Sequence, residues 1–368
     1  MAVPKDPDLL KLSEQFVRVR LIQMGGVDLA QFQFDPLLSW AVFLMHPDGT
    51  IYGRYGTTHE QTRRNVRDSN PTHTTAGLQA ALARGLELHE SYVADPKTVG
   101  PTLAPKKGIE PKWRFAEKTP AARRYGRLRR SEGGTNGCVH CHEVARVTLD
   151  SYMVTKTPIP DRLLWMYPRT HVLGLEFDED HCARVRTVAP DSPAAAAGLQ
   201  PGDDLLSIDA QPLVSVADVR FLLHNLPDEG GKLDVQVRRG DETLAAVLQL
   251  PDDWRRAEDF GWRYRVAGYA MWLWAGVTFE DRAGGLTVSQ RSPNWFKKTN
   301  RDGRQKLQPG DVLLEVDGQE GLSRSDLIAY LIRDKKPGST VKLRVRRKGE
   351  TKKIDFRVPN KRPEILGH

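Results

Sequence analysis

Cysteine is nearly missing from this chain: 3 in 368 residues. That excludes a scaffold stapled by several disulfides. Long apolar runs are missing too. A bilayer-spanning helix takes about 18 such residues in a row, and no stretch reaches that length, so no transmembrane segment is expected. The opening residues, Met1-Ala2-Val3-Pro4-Lys5-Asp6-Pro7, lack the charged-then-apolar pattern of an export signal. There is no Gly-x-Ser-x-Gly, and the histidines are scattered. A serine hydrolase is therefore not expected, and the chain's standing as an enzyme stays open. What remains is an ordinary composition, with 39% hydrophobic and 28% charged residues. The length predicts roughly two to four domains. The net charge of +8 leaves room for an anionic partner. The basic residues are dispersed without an aromatic-basic motif, which argues against nucleic acid.

Two of the three cysteines lie together in Gly137-Cys138-Val139-His140-Cys141-His142. This is Cys-x-x-Cys-His, the attachment signature of c-type haem. Thiols one helical turn apart reach the two vinyl groups of one porphyrin. The adjacent histidine then supplies an axial nitrogen to the iron. The reading is a covalent haem c on Cys138 and Cys141, ligated by His142. The sixth ligand falls among Met166, Met153 and His171. Three other readings use the same residues. A redox dithiol leaves His142 without a task. Zinc on Cys138, Cys141 and His140 or His142 lacks a fourth ligand. Two plain thiols need no cofactor at all. Haem is attached to this motif outside the cytoplasm. The expected location is therefore periplasmic or otherwise extracytoplasmic, with the export signal lost from the N-terminus. A redox partner protein is implied.

Residues 1–94 read as an α/β unit. Asp8 to Gln15 suits a short helix. Phe16-Val17-Arg18-Val19-Arg20-Leu21-Ile22 alternates like a strand. Ser39 to Met45 and Thr50 to Gly56 make a hairpin around His46-Pro47-Asp48-Gly49. Thr75 to His89 has helical spacing, with Thr75 as cap. The Pro-Asp-Gly-x-x-x-Gly-Arg-Tyr-Gly hairpin and this order resemble the latter part of a thioredoxin-like domain. The resemblance implies a scaffold that has lost its front and its active-site cysteines. Residues 95–169 combine a proline-broken linker with the haem segment. Within them Thr119 to Arg130 is expected as a short basic helix, capped by Thr119 and started by Pro120.

The C-terminal half repeats itself. Ser192-Pro193-Ala194-Ala195-Ala196-Ala197-Gly198-Leu199-Gln200-Pro201-Gly202-Asp203 leads into an apolar strand, and Leu307-Gln308-Pro309-Gly310-Asp311 does the same. A helix and a strand pair follow each run, about 108 residues apart, so a domain is duplicated. Both copies, 170–251 and 272–359, resemble PDZ domains of the bacterial protease-associated type. The second departs from the pattern at Asn294-Trp295-Phe296-Lys297-Lys298. The resemblance implies binding of protein or peptide C-termini by strand addition. The carboxylate would sit on Leu173, Gly174 and Leu175 in one copy and on Ala275, Gly276 and Val277 in the other. Val219, Leu222 and Leu223, or Leu327, Tyr330 and Leu331, would line the grooves. A groove filled by the protein's own chain, serving assembly, is the competing reading. Residues 252–271 form an aromatic and basic linker, and 360–368 a tail.

The expected fold class is therefore multidomain α/β and α+β: a partial thioredoxin-like unit, a small helical haem segment and two PDZ-like β-barrel or sandwich domains. The expected function is electron transfer or redox sensing by a haem protein positioned through its PDZ domains. The alternative is a non-catalytic PDZ scaffold without haem.

Overall fold

A computed structural model describes residues 6–21, 23–36, 40–56, 74–125, 141–155, 157–257, 277–291, 307–336 and 338–357. The chain divides into two units, Met1–Thr157 with Asp161–Glu258, and Pro158–Pro160 with Asp259–His368. No helix of the described residues is long and apolar enough to cross a membrane.

The first unit opens with helix α1 (Pro7–Ser13). The Asp6 carboxylate caps it, accepting from the amides of Asp8 and Leu9 at 3.0 and 2.9 Å. Phe16 to Leu21, the described part of the expected strand, forms no strand. Its alternation has no sheet to bury against: Val17 and Val19 are 95% and 80% exposed. The hairpin does form, as β1 (Val42–Met45) and β2 (Ile51–Tyr55), and all five residues of β2 are buried. It is the one sheet within the described residues 6–94. Helix α2 (Thr75–Ala94) is capped by Thr74, one residue before the expected cap, whose hydroxyl accepts from the Gly77 amide at 2.9 Å. Helices α3 (Pro96–Leu103), α4 (Pro120–Tyr125), α5 (Cys141–Val154) and α6 (Asp161–Leu164) follow. Thr119 caps α4 as expected, its hydroxyl accepting from the Ala122 amide at 3.2 Å.

The first repeat folds within the same unit. It contains β3 (Leu175–Phe177), β4 (Val185–Val188), α7 (Pro193–Ala196), β5 (Asp204–Ile208), β6 (Gln211–Pro212), α8 (Val216–Asn225), β7 (Gly231–Arg239) and β8 (Glu242–Leu250). One sheet has the order β6-β5-β7-β8, and β3 pairs β4 in another. Both enclose a core of Leu, Val and Ile side chains. Short α7 begins where Ser192 accepts from the Ala195 amide and Pro193 fixes the first turn.

The second unit holds the second repeat. Its strands are β9 (Val277–Arg282), β10 (Gly285–Arg291), β11 (Val312–Val316), β12 (Gln319–Glu320), β13 (Thr340–Arg347) and β14 (Glu350–Arg357). They form one antiparallel sheet ordered β14-β13-β11-β10-β9, with β12 on β11. Helix α9 (Arg324–Ala329) runs on through a wider turn at Tyr330–Asp334.

The duplication reaches individual bonds. Asp203 lies in the first Gln-Pro-Gly-Asp turn with its side chain 1% exposed. It receives Arg239 in a bidentate pair at 2.7 and 2.8 Å and the Gln200 amide at 2.8 Å. In the second copy Asp311 receives Arg347 at 2.7 Å twice and the Gln308 amide at 2.8 Å. The same turn carboxylate closes the same sheet in both repeats. Burial pushes the Asp203 carboxyl up, but Arg239 and the Gln200 amide outweigh it and hold it low.

Candidate functional site

Strand addition needs a sheet edge with a helix beside it. The second repeat has both. Strand β9 ends its sheet and pairs only with β10 among the described residues. Val277 and Phe279 point inward and are buried. Helix α9 starts at a capping box: Ser323 accepts from the Asp326 amide at 3.1 Å, and the Asp326 carboxylate accepts back from the Ser323 amide at 3.3 Å. The Arg324 amide, at the head of α9, donates to Asp281 of β9 at 3.2 Å, so helix and edge lie side by side. Leu327 and Leu331 are buried, and with Phe279 and Phe356 they line a cavity of about 10 Å³. Tyr330, also expected in the groove, donates instead to Asp317 at 2.9 Å. Of the expected carboxylate loop, Val277 opens β9; Ala275 and Gly276 lie outside the described residues.

In the corresponding loop of the first repeat, one amide and one carbonyl are taken by the chain itself. Gly174 sits at φ 78°, and a Cβ there would fall 2.1 Å from Ser192, so glycine is required. Its amide already donates to the His171 carbonyl at 2.8 Å. The Thr170 hydroxyl donates to the Leu175 carbonyl at 2.8 Å. Leu173 and Leu175 are fully buried.

Helix α8 is covered on every face. Val219, Leu222 and Leu223, expected in a groove, lie in the core cluster of the repeat. A second face lies under β2. The Arg54 amide donates to Asp218 at 3.2 Å, and Ser215 at the helix start donates to the Arg54 carbonyl at 2.6 Å. Lys106 reaches the other Asp218 oxygen at 3.1 Å, and the Arg54 guanidinium stacks 3.6 Å over Phe221. The third face lies under residues 165–167 and Asp35. Arg220 donates to Asp35 at 3.1 Å and to the Tyr167 carbonyl at 3.0 Å, and His224 stacks on the Tyr167 ring at 4.2 Å. The end of α8 is capped by buried Arg255, which donates to the carbonyls of Leu223 and Leu226 at 3.2 and 2.7 Å. Arg54, Lys106 and Asp218 are all at most 4% exposed in their side chains. Burial pushes the Lys106 ammonium and the Arg54 guanidinium down, and Asp218 opposes both shifts. A small cavity of about 20 Å³, room for one water, remains between Arg54, Arg220 and Phe34.

No sequence pattern joins residues 35, 54, 106, 167 and 218. The one legible signal was charge: Asp218 and Arg220 interrupt a helix whose other side chains are largely apolar.

The Cys-x-x-Cys-His segment gathers no site among the described residues. Cys141 opens α5 and packs, half-buried, against a cluster that includes Phe32, Phe34, Val144 and Val147. Burial pushes its thiol up, away from the thiolate. Met166 is buried beside Trp165 and Tyr167, and His171 is exposed in the turn before β3. Cys138 and the side chains of His142 and Met153 lie outside the described residues. Among those described, no three His, Cys, Asp or Glu side chains group to hold a metal ion.

Comparison with known proteins identifies the repeats. Models of the PDZ domain match residues 184–239 and 275–358. A probable periplasmic serine endoprotease, DegP-like, from Pseudomonas savastanoi is 28% identical over 198 residues, covering 50% of this chain and 38% of the relative. One of the same description from Pseudomonas putida is 30% identical over 193 residues, covering 50% and 39%. This chain thus spans about two fifths of the length of these relatives. A solved structure, the HtrA3 PDZ domain bound to a phage-derived ligand, is 25% identical; it covers 21% of this chain and 81% of that one at a TM-score of 0.18. That score carries no geometric argument.

These relatives correct the haem reading. They are described as periplasmic endoproteases, not cytochromes. Haem c on Cys138 and Cys141, iron on His142, a sixth ligand from Met166, Met153 or His171, and electron transfer are withdrawn. So is the redox partner that the haem implied. The physical reason is clearest at Cys141 and Met166: both serve apolar packing. Two PDZ domains stand.

Proposed function

We propose that this chain is a non-catalytic, extracytoplasmic PDZ scaffold whose second PDZ domain binds the C-terminus of a partner protein. In this reading a partner's last residues pair along β9. The backbone amides of Ala275, Gly276 and Val277 receive its terminal carboxylate. The first PDZ domain is committed inward: α8 docks the N-terminal hairpin, and Leu173, Gly174 and Leu175 serve the fold. The hairpin and α2 act as the scaffold implied by the thioredoxin-like resemblance, without redox chemistry. The periplasmic description of the relatives agrees with the extracytoplasmic expectation. Their endopeptidase activity is not carried over, because this chain spans only about two fifths of their length.

One observation carries the proposal: β9 is a sheet edge with α9 beside it, whereas α8 is buried on every face. Fluorescence anisotropy of the full chain tests it. A labelled pool of randomised peptides ending in valine with a free carboxylate should bind. The same pool with amidated ends should not. Equal binding of both pools, or of neither, overturns the proposal.

A further inference from the structure

The two repeats differ in charge on the outer face of their last hairpin. In both, inward residues alternate with outward ones across a paired ladder. In the first copy the outward pairs are Lys232 with Gln249, Asp234 with Val247, Gln236 with Ala245 and Arg238 with Thr243. In the second they are Thr340 with Arg357, Lys342 with Asp355, Arg344 with Lys353 and Arg346 with Thr351. The first face therefore carries two cations and one carboxylate, and the second five cations and one carboxylate. Arg344 is engaged by Glu315 at 3.0 Å and by Glu320. Lys342, Arg346, Lys353 and Arg357 are exposed, with no carboxylate within ion-pairing distance among the described residues.

Edge protection accounts for part of this. Lysine on an outer strand discourages pairing with other sheets, and β14 is such a strand. It does not account for Lys342 and Arg346, which lie on β13, between β11 and β14. The outward positions also hold no aromatic or large aliphatic side chain; the uncharged ones are Thr340 and Thr351. A protein partner would need an apolar centre to bury. Sequence-tolerant nucleic-acid binding would use aromatic stacking, and the relatives are periplasmic. What the face offers is charge density on an open platform.

We propose that the outer face of the β13–β14 hairpin docks the chain on an anionic phospholipid surface. The contact is electrostatic and goes beyond the peptide reading, so either can fail alone. The full chain should sediment with vesicles of phosphatidylcholine doped with phosphatidylglycerol and not with phosphatidylcholine alone. Added salt should release it. A variant carrying Lys342→Gln, Arg346→Gln and Lys353→Gln should lose about a hundredfold in partitioning, since each cation near such a surface contributes about 1 kcal/mol. Lys232→Gln on the first copy's face should leave binding unchanged. Unchanged circular dichroism and peptide binding would show that the triple variant is folded. Three results overturn the proposal: binding to neutral vesicles equally, a folded triple variant that still partitions like the parent, or tighter binding to a DNA oligonucleotide than to the anionic vesicles.

Discussion

Asp218 is the carboxylate that faces both Arg54 and Lys106 inside the first unit. It also accepts from the Val214 amide at 2.9 Å. Removing one partner of a buried ion pair leaves an uncompensated charge, at a cost of about 3–5 kcal/mol. Asp218→Ala should lower the urea midpoint of the first unit accordingly. A shift within experimental error would mean that the pair is not buried in solution. Asp203 gives a second test at this scale. Its carboxyl is held below the unfolded value of about 3.9 by Arg239 and the Gln200 amide, against burial. The folded form therefore binds its proton less readily than the unfolded chain does. That stability is present above the unfolded pKa and is lost as pH falls through the folded one. Asp203→Asn should be less stable at neutral pH, and the gap should close in acid titration below about pH 4. Cys182 is pushed up to about 11 by burial. Its alkylation should climb about tenfold per pH unit and level off only near 11, well above a model thiol at about 8.5.

At the scale of elements, Gly53 is the contact on which the docking of β2 turns. A Cβ there would lie 2.3 Å from Val214 Cγ2 and 2.6 Å from Asp218 Oδ2. Overpacking of this kind costs about 1–3 kcal/mol. Gly53→Ala should destabilise the first unit by that amount in chemical denaturation, and a neutral result would argue that β2 does not rest on α8. Elements with local signals were legible in the sequence. The Ser192-Pro193 helix start, the Thr119 cap and the Asp48-Gly49 hairpin each rest on bonds within a few residues. The strand expected at Phe16–Ile22 had the right period, but a strand also needs a neighbour. Burial of α8 was not legible, because its cover comes from Asp35, Arg54, Lys106 and Tyr167, far away in the sequence. The haem reading failed for the converse reason. A short local pattern was complete in itself, yet Cys141 is drawn into apolar packing by phenylalanines about a hundred residues earlier.

Over the whole molecule, the proposed function puts one duplicated domain to two uses. The bidentate Asp–Arg pair recurs in both copies, so the scaffold is shared. Eight of the ten residues of α8 are buried, which in the proposed reading keeps it from a peptide. Hydrogen–deuterium exchange on the full chain, with and without the free-carboxylate valine peptide pool, separates the two domains directly. The account predicts added protection across residues 277–282 and none across 175–177 or 216–225, where exchange is already slow. Protection at 216–225, with 277–282 unchanged, would contradict it.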